Sequence, residues 1–491
     1  MMCAYNKVNG AYACGNDALL NGAIKQAIGF KGWIMSDWKA VYDWDFALKG
    51  LDQHSGVQLD QQEWFVGPLR EAYDGGRFPR ERLSDMVRRV LRSVYAVGVD
   101  KRRDAPALDL AAHRDAVLEV VRQGIVLLKN EGGLLPLSGA RRIAVIGGLA
   151  NIGAMGGGGG SSQVIPVGGH AMGIPLGGDG VLGGLRRMVL NSPAPLAELQ
   201  RLMPQASITF DSGEYPAQSA ALARRSDVAI VFASKFESEG FDSPDLSLPF
   251  GQDDLIAAVA AANPNTVVVL QTGNPVSMPW RHGVKAILAA WYAGQAGGQP
   301  IAEVLSGKIN PSGRLPVTFV ASLDQTPHPE LAGFGTPSDT PTTIHYHEGA
   351  EIGYRWLHRT GATPLFAFGH GLSYTAFAYG DLQLAGGETV TATFTVSNTG
   401  ERTGAAVPQV YLLEAPAGRR IRLLGFERVA LKPGESRQVS VTADPRLLAS
   451  YDGDIGQWRI DGGSYRIGLS DSAVSHVATG TVQLTARRFG R

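Results

Sequence analysis

Four short runs, at 143–146, 228–233, 266–271 and 286–290, constrain the fold most, because each is apolar at nearly every position. A strand with water on one face alternates polar and apolar residues, whereas one apolar throughout is covered on both faces, as in a parallel sheet between helices. Helix-like segments at 113–124, 253–262 and 299–305 are interleaved with these runs, which predicts a mostly parallel sheet in an α/β domain over 113–373. The flanking segments differ in texture. Residues 1–99 read as β-α repeats: a strand at 1–4 ending at Tyr5 and Asn6, a helix at 16–28, a strand ending at Asp37, a helix near 41–48, a strand or turn at 50–53, and helices at 63–73 and 79–97. The last of these carries a stripe of Leu83, Met86, Val87, Val90, Leu91, Val94 and Val97. A complete eight-fold β/α barrel needs about 250 residues, so these repeats amount to part of one. Residues 100–112, with Pro106 and several charges, read as a linker. From Tyr374 onward, an alternating strand at 389–396, an apolar one at 407–413 and further strands at 436–442 and 464–469, with Gly and Pro between them, predict an all-β sandwich over 374–491.

Length and charge narrow the function classes. At 491 residues there is room for about three domains. Lys plus Arg and Asp plus Glu both total 45, so no basic field exists to draw nucleic acid or anionic lipid, and a neutral polar partner fits better. No window reaches the length of apolar residues that a membrane span needs, and the first residues carry no signal-peptide pattern; neither nucleic acid nor membrane is expected as a partner. The two cysteines, Cys3 and Cys14, flank the turn-like Asn9, Gly10 and Ala11. In a cytosolic protein they read as buried thiols, in a periplasmic or secreted one as a disulfide.

The stretch FKGWIMSDW at 30–38 is the first candidate for chemistry. Trp33, Ile34 and Met35 suit a buried strand, which places Asp37 at its carboxyl end, where α/β folds bind ligands. A cap on the next helix is the alternative role for this Asp. The loop KFESEGFDSPDLSLP at 235–249 also leaves a strand end, and it holds Glu237, Glu239, Asp242 and Asp245. Such loops are commonly no more than solvated surface. Folded over the strand that carries Asp37, however, one of these acids would form a pair. Two carboxyl groups about 5 to 5.5 Å apart are what retaining glycoside hydrolysis requires, and Trp38 would offer its face to a sugar ring.

Other motifs fare less well. The run GGLANIGAMGGGGGSS at 147–162 follows a strand but does not open into a helix with an acid about 20 residues on, so it reads as a loop bringing hydroxyls to a polar ligand, with no nucleotide cofactor. His345, His347 and His370 lack a ligand-like spacing, and no metal is expected. A Gly-x-Ser-x-Gly elbow is missing, which argues against an esterase.

Several segments together resemble glycoside hydrolase family 3, in particular its three-domain bacterial β-glucosidases: MCAYNKVNG at 2–10, GFKGWIMSDW at 29–38, LLKNEGGLLPL at 127–137, SEGFDSPDLSLP at 238–249, GKINPSGRLPVTF at 307–319 and FGHGLSYT at 368–375. The resemblance implies a partial (β/α)8 barrel, an α/β sandwich and a C-terminal fibronectin type III-like β-sandwich. It also implies Asp37 as nucleophile, Glu239 rather than Glu237 as acid/base, Tyr5, Trp38 and Ser161 near the sugar, and Cys3 and Cys14 as positions that can carry a bridge. No cofactor follows from it. The loop departs from many relatives at Ser243, where a basic residue follows the Asp, and that departure bears on how the loop is anchored.

The expected activity is exo-acting, retaining removal of terminal β-D-glucosyl residues from β-glucosides or oligosaccharides, with β-xylosides as the alternative substrate. The earlier barrel strands, which grip the glucosyl hydroxyls in relatives, have no counterpart here, so the chain reads as the C-terminal part of a longer enzyme. On that reading its own hydrolysis is weak and the full-length protein is periplasmic or secreted. A non-catalytic carbohydrate-binding or structural fragment is the rival reading. An open sheet edge and bare apolar helix faces add the expectation of association, with a homo-oligomer as one form of it.

Overall fold

A computed structural model describes residues 1–101, 107–157, 166, 168–178, 186–239, 242–337 and 340–490. The chain forms two compact units, one of residues 1–108 with 451–459 and 488–491, the other of 109–450 with 460–487. The β region predicted over 374–491 is thus shared. Its strands Ser450–Asp452, Gln457–Ile460 and Arg487–Phe489 form a small sheet of their own, apart from the sandwich.

In the first unit, Met2–Cys3 and Met35–Ser36 pair in parallel, and Gln53 bridges Met35 on the other side, also in parallel. Three adjacent parallel strand segments are what a stretch of β/α barrel contributes. Ile34, Leu20, Phe46 and Leu51 close the core beneath them. A disulfide joins Cys3 to Cys14 at the edge of this core. The helix expected near 41–48 is reduced to a single 3-10 turn, Trp44–Ala47, because Lys39 takes a left-handed φ of 63° and Asp43 is extended. The long helix Arg80–Ala96 follows the predicted 79–97, but its stripe is only partly covered: Met86 is buried, whereas Val87 and Leu91 are exposed.

The second unit bears out the sheet read from the four apolar runs. Its strands stand in the order Ser207–Asp211, Arg142–Ile146, Val228–Lys235, Thr266–Thr272, Ala286–Ala289 and Val126–Asn130, all parallel except the last. Alternate residues serve opposite faces, as the two-residue period of a strand demands. Ala229, Val231 and Ala233 join one core with Leu255, Ile256 and Val259 of the helix Gln252–Ala262. Val228, Ile230 and Phe232 join the other with Ile301, Val304 and Leu305 of the helix Gly298–Ser306. Burying each Val or Ile contributes about 1.5–3 kcal/mol, which is why polar residues stay out of these runs. Among the described residues, no helix is long and apolar enough to cross a membrane.

One buried charge fastens the helix Gly298–Ser306 to the helix Leu110–Gly124. Glu303, fully buried, accepts from both nitrogens of Arg122 at 2.8 and 3.0 Å, from Gln299 at 3.0 Å and from Lys308 at 3.0 Å. Burial alone would push its carboxyl up, but these donors hold it down at about 2, against an ordinary 4.5. A depressed carboxyl contributes stability that is complete above its unfolded value and is lost as the pH falls toward its folded one. Glu303→Gln should therefore cost on the order of 2–3 kcal/mol near pH 7 and progressively less below pH 4.5. Thermal melts of the two proteins across that range check this, and a pH-independent difference would rule out the charge as its source.

Beyond Phe377 the alternation is that of a half-exposed sandwich, with every second residue of Thr391–Asn398 buried. Phe377–Ala385, Thr391–Asn398 and Ser436–Thr442 form one antiparallel sheet. Gly418–Phe426, Gln409–Ala415, Gly463–Ser472 and Ser475–Leu484 form the other.

Candidate active site

Asp37 follows directly on the strand Met35–Ser36, and its amide donates to the Cys3 carbonyl at 3.2 Å, continuing the parallel ladder. No helix starts after it, and the next 3-10 turn is capped by Asp43, which accepts from the Asp45 amide at 3.1 Å. The helix-cap role for Asp37 therefore falls away. Instead its Oδ1 accepts from the Tyr5 hydroxyl at 2.7 Å and from the Trp38 amide at 2.8 Å. Two donors on one oxygen fix the plane of the carboxylate and leave Oδ2 as the better placed electron pair. The Trp38 ring lies against Gly56, whose φ of 68° and lack of a side chain both matter, since a Cβ there would overlap the indole.

The strand is held from behind by a buried charge cluster that the sequence analysis did not single out. Asp52 accepts from the Ile34 amide at 2.9 Å, from Lys25 at 2.7 Å and from Arg82 at 2.7 Å. Lys25 also donates to the Gly50 carbonyl at 2.6 Å. Burial lowers the Lys25 ammonium from its usual value, and the hydrogen bond to Asp52 opposes that. These three residues come from distant points of the chain, and no spacing in the sequence announces them.

In the second unit the strand Val228–Lys235 leads into the acidic loop, and its two glutamates stand in different settings. Glu237 is an anchor: its Oε2 accepts from the amides of Gly273 and Asn274 at 3.0 and 2.8 Å, and its Oε1 from the Ser243 hydroxyl at 3.0 Å. Its own amide donates to the Tyr292 hydroxyl at 2.8 Å, and that hydroxyl donates to the Lys235 carbonyl at 2.6 Å. Burial, and then the Glu237 charge, push the Tyr292 phenol up, so it remains a donor. Ser243, at the position where a basic residue was the family pattern, thus holds the loop through a hydroxyl donor in place of a cation. With both oxygens engaged, the Glu237 side chain is held in place within the loop. Glu239 by contrast is exposed on the turn of the loop. Beneath the loop, Lys235, Phe236, Glu237, Ser238 and Asp242 are among the residues lining a cavity of about 320 Å³.

Ser161 lies outside the described residues. Cys3 and Cys14 are bridged, and the strand that bears Asp37 pairs beside Cys3. His345 and His370 do not converge; His370 is committed to the Leu128 carbonyl at 2.9 Å, and its burial lowers its basicity.

With this geometry in place, comparison with known proteins identifies the frame. Residues 125–374 match the glycosyl hydrolase family 3 C-terminal domain, and 406–473 the fibronectin type III-like domain. The chain is 33% identical to thermostable beta-glucosidase B of Acetivibrio thermocellus, over 99% of its own length and 63% of that protein's. It is 30% identical to an exo-alpha-(1->6)-L-arabinopyranosidase of Bifidobacterium breve over the same shares of each. DesR, a beta-glucosidase from Streptomyces venezuelae solved in complex with D-glucose, superposes with a TM-score of 0.86 at 28% identity, over 99% of this chain and 76% of that one. The chain thus spans a little under two thirds of the curated relatives just named, and over that span it belongs to glycoside hydrolase family 3.

Proposed function

We propose that the protein is a retaining, exo-acting glycoside hydrolase that removes terminal β-D-glucosyl residues, with Asp37 as nucleophile and Glu239 as acid/base. The observation that carries this reading is the Asp37 carboxylate, held through Oδ1 by Tyr5 and Trp38 with Oδ2 left for attack. In the first step Oδ2 bonds to the anomeric carbon as the glycosidic C–O bond breaks, and Glu239 gives its proton to the departing oxygen. In the second, Glu239, now a carboxylate, takes a proton from water, whose oxygen bonds to the anomeric carbon as the ester bond to Asp37 breaks. Tyr5 and Trp38 serve as sugar-facing groups, and Ser161 as a further one. A β-xyloside, lacking only the exocyclic hydroxymethyl, is the alternative substrate.

Tyr5 is 50% and Trp38 44% exposed, so little around Asp37 grips a sugar. Binding energy needed at the transition state is correspondingly small, and turnover by this chain should be slow. The same exposure favours a second reading, carbohydrate binding without chemistry. A dinitrophenyl 2-deoxy-2-fluoro-β-glucoside separates the two without requiring turnover, since it forms the glycosyl ester but releases it slowly. We expect mass spectrometry to find one fluoroglucosyl group on the peptide holding Asp37. An adduct elsewhere would sink the assignment of the nucleophile, and no adduct would leave the binding reading.

For location we propose an oxidising compartment, periplasmic or extracellular, which the Cys3–Cys14 disulfide supports.

A further inference from the structure

His328, His347 and Glu348 lie in a part of the second unit that the glycosidase chemistry does not use. One ligand atom from each of the three side chains falls within 4.8 Å of the other two. From this geometry we propose a zinc-type divalent cation site formed by two imidazoles and one carboxylate. The Nε2 of His328 stands 3.3 and 3.2 Å from the two carboxylate oxygens of Glu348. Bonds of about 2.0–2.1 Å to a tetrahedral ion place neighbouring ligand atoms roughly 3.3 Å apart, so this pair already has the spacing of two ligands. The third atom has to move by no more than about 1.5 Å, within reach of a ring rotation. His347 is exposed, its Nδ1 is held only by the His345 carbonyl at 3.3 Å, and its side of the site is open for water to complete the shell.

The donor set decides the class of ion. Imidazole nitrogen with one carboxylate suits Zn²⁺, Co²⁺ or Ni²⁺, whereas Mg²⁺ and Ca²⁺ take oxygen shells. Glu348 is 5% exposed, and a carboxylate so buried calls for a cation beside it. The guanidinium of Arg359 stacks on Trp356 and donates to the Glu348 backbone carbonyl, at 3.5 Å, rather than to the carboxylate. The His347 ring packs edge-on against both His328 and Trp356, so the ligands are seated on aromatic walls.

The ion would act as a clip. His328 and Glu348 are 20 residues apart, and the described residues between 332 and 347 are exposed throughout. Joining the ends of such a segment removes loop freedom from the unfolded state, so the ion should raise stability as well as bind.

Calorimetry on the full chain after chelator treatment tests this, with Zn²⁺ as titrant and Co²⁺ absorption as a second readout. We expect one ion per chain with a micromolar Kd, a higher Tm with Zn²⁺, and no competition from Mg²⁺. Because His347 is exposed, His347→Ala should fold normally and should weaken binding at least about tenfold, the loss that even outer-shell changes produce. His347→Asp, which restores a ligand, should recover part of it and keep the Co²⁺ spectrum of a low-coordinate site. No saturable binding by the parent chain, or binding equal in the parent and His347→Ala, would overturn the proposal.

Discussion

Asp37→Asn should lower the hydrolysis of every aryl β-glucoside by about 10⁴-fold or more, the scale on which removing an enzyme's nucleophile acts. Asparagine is nearly isosteric and its carbonyl can still accept from Tyr5 and the Trp38 amide, so the fold should be unchanged. What is lost is the anionic oxygen that the proposed mechanism uses for attack on carbon. Glu239→Gln should behave differently, because general-acid help matters only when the leaving group needs a proton. We expect a loss of about 10²–10⁴-fold with methylumbelliferyl or alkyl glucosides and little change in the glycosylation step with a dinitrophenyl leaving group. Glu237→Gln leaves two donors of the anchor satisfied and should show no such dependence on leaving group. The activated dinitrophenyl substrate keeps the measurement feasible in a slow enzyme. A residual rate in Asp37→Asn equal to that of the parent would assign the observed hydrolysis to another group.

The parts of this molecule that were legible beforehand are those decided by local period and length. The run at 228–233 announces a strand covered on both faces because Ala229, Val231 and Ala233 are as apolar as Val228, Ile230 and Phe232, and the structure sends the two sets into two different cores. Asp37 was legible for a related reason, since an apolar run that stops at an acid marks a strand end. The segment 41–48 misled because its apolar spacing suits a helix, while Lys39 and Asp43 take conformations that prevent one from starting. The settings of Glu237 and Glu239 could not be told apart from composition, as both are acids two residues apart on one loop. The amides of Gly273 and Asn274, arriving from another strand end, decide which is the anchor. The same holds for His328 and Glu348, whose meeting depends on how the 20 residues between them close.

The largest loss of stability should follow Asp52→Ala. This carboxylate is fully buried and takes a hydrogen bond from the amide of Ile34, whose strand leads directly to Asp37. It also neutralises Lys25 and Arg82, both at 2.7 Å. Removing one partner of a buried pair leaves the other charge without compensation, and that costs about 3–5 kcal/mol. Lys25, only 5% exposed in its side chain, bears most of this. Its ammonium is lowered by burial even with Asp52 present, and the hydrogen bond that opposes the shift is gone in the variant. A lysine whose folded value lies below its unfolded 10.5 penalises the fold wherever it must stay charged, and the penalty fades as the pH rises toward that value. The cost of Asp52→Ala should therefore be largest at and below neutral pH and smaller near pH 10. Urea unfolding followed by tryptophan fluorescence reads it. Replacing the pair together, Lys25→Met with Asp52→Leu, should recover part of the loss, because no charge is then stranded except Arg82, which keeps Asp85 and the Ala47 and Leu51 carbonyls as partners. A cost for Asp52→Ala below about 1 kcal/mol would mean that water reaches Lys25, and that the strand presenting Asp37 is held by its apolar core alone.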